Sequence, residues 1–203
     1  MVTEIRIYAE GGGDSKDTKA FLREGFSSFL QDLSLMARDK RIRWHVVTCG
    51  GRNATFDAFR TALKQHPGAF NVILVDSEAP VQTTPSAHLQ QRDGWAFNDV
   101  DDNHCHLMTQ AMEAWFIADV AALVRFYGQG FRQSIIPKNP DVEQISKDQL
   151  EASLKLATHD TQKGEYHKAD HAWKILKLID PAIVRVASHH CERLFTTLKS
   201  RMQ

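Results

Sequence analysis

Phe70-Asn71-Val72-Ile73-Leu74-Val75-Asp76-Ser77-Glu78 is the stretch that decides the fold. Its first six residues are nearly all apolar, which predicts a strand covered on both faces, as in a parallel sheet layered by helices. Upstream lie two more β-prone runs, Ile5–Ala9 and Ile42–Val47, stopped by Glu10-Gly11-Gly12-Gly13 and by Gly50-Gly51. Between them Ala20, Phe21, Phe26, Phe29, Leu30, Leu33 and Met36 recur at helical spacing. That helix starts near Lys16, with Asp14 or Ser15 able to accept the free N–H groups of its first turn. Phe56, Phe59 and Leu63 mark a second helix, closed by His66-Pro67-Gly68. Strand, helix, strand, helix, strand at this spacing predicts βαβ units with right-handed crossovers.

Downstream, residues 79–105 lose periodicity and are rich in Pro, Thr, Gln and Asp, so they read as an irregular functional or mobile stretch. His106-Leu107-Met108 is a candidate fourth strand. The last third reads as helices around 147–157, around 171–178 and from 181 to the end, with Asp180-Pro181 as a start signal. The expectation is one domain over 1–203, an α/β core over 1–125 and a helical elaboration over 126–203.

The 203 residues carry 25 Lys+Arg against 25 Asp+Glu, which excludes a general cationic coat for nucleic acid. The balance is nevertheless uneven: residues 1–119 are net −4 and residues 120–203 net +4. That division suits a carboxylate metal site beside a phosphate-contacting surface, or simply solvated charge. Cys49, Cys105 and Cys191 are odd in number and widely spaced, as in a reducing compartment. No run approaches the roughly 18 apolar residues of a membrane span, and charges interrupt the N-terminal apolar run, so a cytoplasmic protein is expected.

Strand ends in a parallel sheet deliver side chains to a shared crevice. Glu10 closes the first strand, and Asp76 and Glu78 close the third; in extended chain, residues two apart point to one side. Gathered carboxylates repel without a cation, and hard oxygen ligands favour Mg²⁺ or Mn²⁺. Glu113 is the only charge between Leu107 and Ala118, so if buried it needs a metal or a lysine; on the wet face of a helix it needs neither. Asp119 reads as a helix cap. Lys163 and Lys168, in the connector Lys163-Gly164-Glu165-Tyr166-His167-Lys168, are placed to fold over the acidic edge and hold a phosphate, unless they are ordinary solvated lysines. Gly11-Gly12-Gly13-Asp14 lacks the Gly-Lys-Ser/Thr ending of a P-loop. His104-Cys105-His106 and His189-His190-Cys191 offer zinc-type ligands at spacings that match no familiar zinc site.

Tyr8-Ala9-Glu10-Gly11 followed by Val75-Asp76-Ser77-Glu78 resembles the TOPRIM domain of topoisomerases, DnaG-type primases and nucleases of the overcoming-lysogenization-defect family. Met112-Glu113-Ala114-Trp115-Phe116, Ala118-Asp119, Tyr166-His167-Lys168 and Ala172-Trp173-Lys174-Ile175-Leu176 look like a large bacterial family of TOPRIM-like proteins of unknown function, often encoded beside ATPases in mobile or phage-defence loci. The resemblance implies a three-layer α/β/α fold and a Mg²⁺-dependent phosphodiesterase acting on DNA or RNA. Glu10 would be acid/base or metal ligand, Asp76 and Glu78 metal ligands, Glu113 a further carboxylate at the site and Lys168 a phosphate contact. Glu78 replaces the commoner second Asp of the motif. The alternatives are a non-catalytic effector subunit docked on an ATPase partner and a metal-dependent nucleotide phosphatase; a homodimer is compatible with any of the three.

Overall fold

The computed structural model describes residues 2–13 and 15–203. Four strands, β1 (Glu4–Glu10), β2 (Arg43–Gly50), β3 (Phe70–Asp76) and β4 (Cys105–Met108), form one sheet in the order β2-β1-β3-β4. All pairings are parallel. Every residue of β3 is buried, as its apolar run requires.

The alternation of side chains divides the core in two. Ile5, Ile7, Ala9, Val72 and Leu74 face a large helical layer, whereas Tyr8, Ile73 and Val75 face a smaller one. The large layer begins with α1 (Lys16–Phe29) and α2 (Gln31–Asp39). One continuous helix was the expectation for this stretch, but the α-helical path breaks at Leu30, whose side chain is fully buried. Ser15 caps α1 by accepting from the Thr18 N–H; Asp14 lies outside the described residues. The opposite face is covered by α3 (Arg52–Gln65) and α4 (Pro85–Asp93).

α4 corrects the irregular reading of 79–105. Thr84 caps it, Pro85 occupies its first turn and Gly94 ends it in a left-handed conformation. Just beyond, Trp95 stacks on Phe56 with centroids 4.4 Å apart. The large layer is completed by α5 (Glu113–Ala118), α6 (Val120–Tyr127), α7 (Lys147–Thr158), α8 (Lys168–Leu176), α9 (Pro181–Ala187) and α10 (His189–Arg201). Asp119 caps α6, and Ser188 divides the final helix expected from 181 onward.

The result is a three-layer α/β/α fold whose C-terminal third is helical. α1 and α8 cross closely because Gly25 has no side chain: a Cβ there would lie 2.8 Å from the Trp173 carbonyl oxygen. No helix among the described residues is long and apolar enough to cross a membrane. All three cysteines are free.

Candidate carboxylate site

β1 and β3 are neighbours in register, with Ala9 level with Leu74, so their carboxyl ends bring Glu10 beside Asp76. Glu10 Oε2 accepts from the Asp76 backbone N–H at 3.1 Å. The chain then leaves β1 through Gly11 at φ +114°, where a Cβ would also meet the Leu22 side chain at 2.7 Å. Glycine is the residue that turns here without a clash.

Asp76 is buried, and each of its carboxylate oxygens has a hydrogen-bond partner. Its Oδ1 accepts from the Met112 N–H at 2.8 Å, and its Oδ2 from Lys168 Nζ at 3.2 Å. The same ammonium lies 3.3 Å from Glu113 Oε2, and Glu113 Oε1 accepts from the Tyr166 hydroxyl at 2.8 Å. Glu113 is therefore a buried carboxylate partnered by a lysine and a phenol, not a wet-face residue. Burial alone would depress the Lys168 ammonium, but Asp76 and then Glu113 outweigh it and hold its pKa above the ordinary value.

Glu10 is in the opposite condition. Burial first, and the Asp76 charge second, push its carboxyl up to about 7, with Arg52 pulling the other way. Arg52 Nη1 reaches Glu10 Oε2 at 3.2 Å and the Asp76 carbonyl at 2.5 Å. Its Nε and Nη2 grip both oxygens of Asp93, at 2.8 and 2.6 Å, and its guanidinium lies over Trp95. Arg52 is absent from the residues the sequence singled out. A signal was present: Arg52 opens α3 and Lys168 opens α8. A helix N-terminus disfavours a cation, so nearby anions must offset both placements.

Two expected members lie elsewhere. Glu78 does not share a side with Asp76, because the extended conformation ends at the strand terminus and Glu78 adopts φ +65°. Both its carboxylate oxygens accept from Lys147 Nζ at 2.6 Å. The expected three-carboxylate set is thus a Glu10–Asp76 pair, with Glu113 behind Lys168. Lys163 is not among the residues lining the cavity beside these acids; its Nζ lies 5.2 Å from the Phe126 ring centroid. The first histidine–cysteine cluster does not converge: His104 bonds the Asn71 carbonyl, His106 the Asn103 carbonyl, and Cys105 is buried between them.

Glu10, Asp76, Lys168 and the Gly11–Gly13 loop line a cavity of about 490 Å³. Leu22, Met108, Met112, Ala172 and Trp173 form its apolar wall. Fold and site together define an α/β protein with an acid–lysine cluster, its Asp76 and Glu113 buried, at the carboxyl edge of a parallel sheet. Residues 9–199 match the family described as "Domain of unknown function (DUF4276)", and the chain belongs to that family. No curated protein and no solved structure matches it.

Proposed function

We propose that this cavity hydrolyses phosphodiester bonds of nucleic acid with the help of Mg²⁺ or Mn²⁺, on a TOPRIM-like core. The observation that carries the reading is the Glu10–Asp76 pair at neighbouring strand ends, where Glu10 Oε2 accepts from the Asp76 backbone N–H at 3.1 Å and Lys168 Nζ lies 3.2 Å from Asp76 Oδ2. The donors suit a hard divalent ion: burial and the neighbouring Asp76 push Glu10 to about 7, and Arg52, shared with Asp93, offsets only part of that. Mg²⁺ commonly binds through one or two carboxylates and keeps several waters. Asp76 and Glu10 would hold it, and Glu78 would not.

When bound, the ion supplies Lewis-acid polarisation of the phosphate and a more acidic water. Where Asp76 alone held the ion and Glu10 stayed unligated, Glu10 would take or return a proton near neutral pH, where an acid–base group is most effective. Lys168 meets charge developing on the phosphate oxygens. Glu113 and Tyr166 hold that ammonium in place and act through it. The biological setting we infer is a cytoplasmic phage-defence or mobile-element system with an ATPase partner.

A second reading, hydrolysis of a free nucleotide, is favoured by the bounded cavity of about 490 Å³ and its apolar wall, which suit one nucleotide better than a duplex. Plasmid DNA, single-stranded RNA and nucleoside triphosphates, each incubated with protein and Mg²⁺ or Mn²⁺, separate the readings. Metal-dependent cleavage that D76N abolishes supports a catalytic carboxylate site. Equal turnover by D76N and wild type would remove Asp76 from the chemistry.

A further inference from the structure

A second convergence of ligand-type side chains lies in the C-terminal helical layer, apart from the carboxylate cavity. Glu143 sits in the 3₁₀ turn Val142–Gln144, and its carboxylate is buried. One oxygen, Oε1, is used by the start of α10, accepting from the Ser188 hydroxyl at 2.6 Å and the His190 N–H at 2.8 Å. The other, Oε2, faces two imidazoles: His189 Nδ1 and His190 Nδ1 each lie 2.7 Å away. All three ligand atoms fall within 4.8 Å of one another.

Consecutive residues on a helix normally diverge by about 100°. These two open the helix, and both Nδ1 atoms reach the same Glu143 oxygen, with ring centroids 4.1 Å apart. We propose that Glu143, His189 and His190 form a binding site for a divalent transition ion of the zinc class. Two imidazole nitrogens and one carboxylate oxygen are the donor set that borderline ions such as Zn²⁺ and Co²⁺ take, leaving a fourth position for water.

The bond lengths are compatible. Ligand atoms about 2.0–2.2 Å from a tetrahedral ion lie roughly 3.3 Å apart, so each N–O separation must open by about 0.6 Å. His189 is the mobile partner for that adjustment, since its side chain is 71% exposed while His190 is 6% exposed. An ion there would tie the 142–144 turn to α10. The same turn is held toward the sheet by Gln110, whose side-chain amide donates to the Glu143 carbonyl at 3.3 Å.

The test uses the full chain stripped with chelator, titrated with Zn²⁺ against a chromophoric competitor, with Co²⁺ as a spectroscopic probe. Wild type and D76N are expected to bind one tight equivalent, to show the visible absorption of tetrahedral Co²⁺, and to gain about 4 °C or more in thermal midpoint at saturating Zn²⁺. H189A is expected to weaken Zn²⁺ binding at least tenfold and lose the thermal gain, while melting like wild type in chelator. H189Q replaces it if the alanine variant fails to fold. Absence of a bound equivalent in wild type overturns the proposal. So does loss of the equivalent in D76N, which would assign the ion to the other site, or weakening of less than tenfold in the His189 variant.

Discussion

Glu4 and Glu10 begin and end the same strand, and their surroundings are opposite. Glu4 is met by Arg6 at 2.6 Å, Arg43 at 2.7 Å and His45 at 3.3 Å. Burial would raise its pKa, but Arg6 and then Arg43 outweigh burial and hold it below the ordinary value. Glu10 shares one arginine with Asp93 and faces another carboxylate, and it rises to about 7. One end of β1 therefore carries an acid with its charge fully answered; the other carries an acid left short of positive charge. A parallel sheet concentrates this asymmetry, because all its carboxyl ends lie on one edge. The comparison separates carboxylates that hold the molecule together from one poised to exchange a proton or accept a cation.

The sharpest way to break this contrast is at Asp76. D76N keeps the shape but removes the charge that raises Glu10, and metal-dependent hydrolysis is expected to fall by about 10³-fold, roughly 4 kcal/mol of barrier. Rate measurements at saturating Mg²⁺ decide it, and a loss under tenfold contradicts the assignment. R52A removes the cation that links Glu10, Asp76 and Asp93, leaving Asp93 with Arg92 as its one cationic partner and Glu10 without its arginine. Denaturant unfolding at pH 7 should show a loss of about 3–4 kcal/mol.

The two ends of β1 can then be compared directly. The folded Glu10 keeps its proton to about pH 7, whereas an ordinary glutamate loses it near 4.5. Across that window the folded state binds more protons than the unfolded chain, so this group's contribution to stability falls as pH rises. E10Q should flatten the slope and be more stable than wild type at pH 8, by up to about 3 kcal/mol. E4Q should instead destabilise by about 1 kcal/mol, since its cationic partners are partly solvated. Unfolding curves at pH 5 and pH 8 test both signs. The smallest effect belongs to Lys163: K163A removes a cation–π contact and should cost about 0.5 kcal/mol with turnover unchanged within twofold, measured in the same assays.

The sheet was readable because three apolar runs end in glycines or acids, and a buried parallel strand needs just that composition. The approach of Glu10 to Asp76 followed from it. α4 was not readable: Pro85-Ser86-Ala87-His88-Leu89-Gln90-Gln91-Arg92-Asp93 buries only Pro85, His88 and Leu89, too few for a periodic signal. The displacement of Glu78 depends on one backbone torsion after the strand, to which residue spacing is blind. Arg52 was missed because its role lies in reaching Glu10, Asp76 and Asp93 at once, across 41 or 42 positions to the outer two. Lys168 was anticipated from its connector, but its contact with Asp76 spans 92 positions and depends on how α8 packs.

That packing sets a clearance. Trp173, which walls the cavity, and Lys168, which neutralises Asp76, ride on one short helix. Its distance from the sheet is gauged by the missing side chain at Gly25. A single methyl group there would stand 2.8 Å from the Trp173 carbonyl oxygen and push the two helices apart. The ammonium would shift relative to both acids, so an alteration remote from any reacting atom would disturb the charge balance of the crevice.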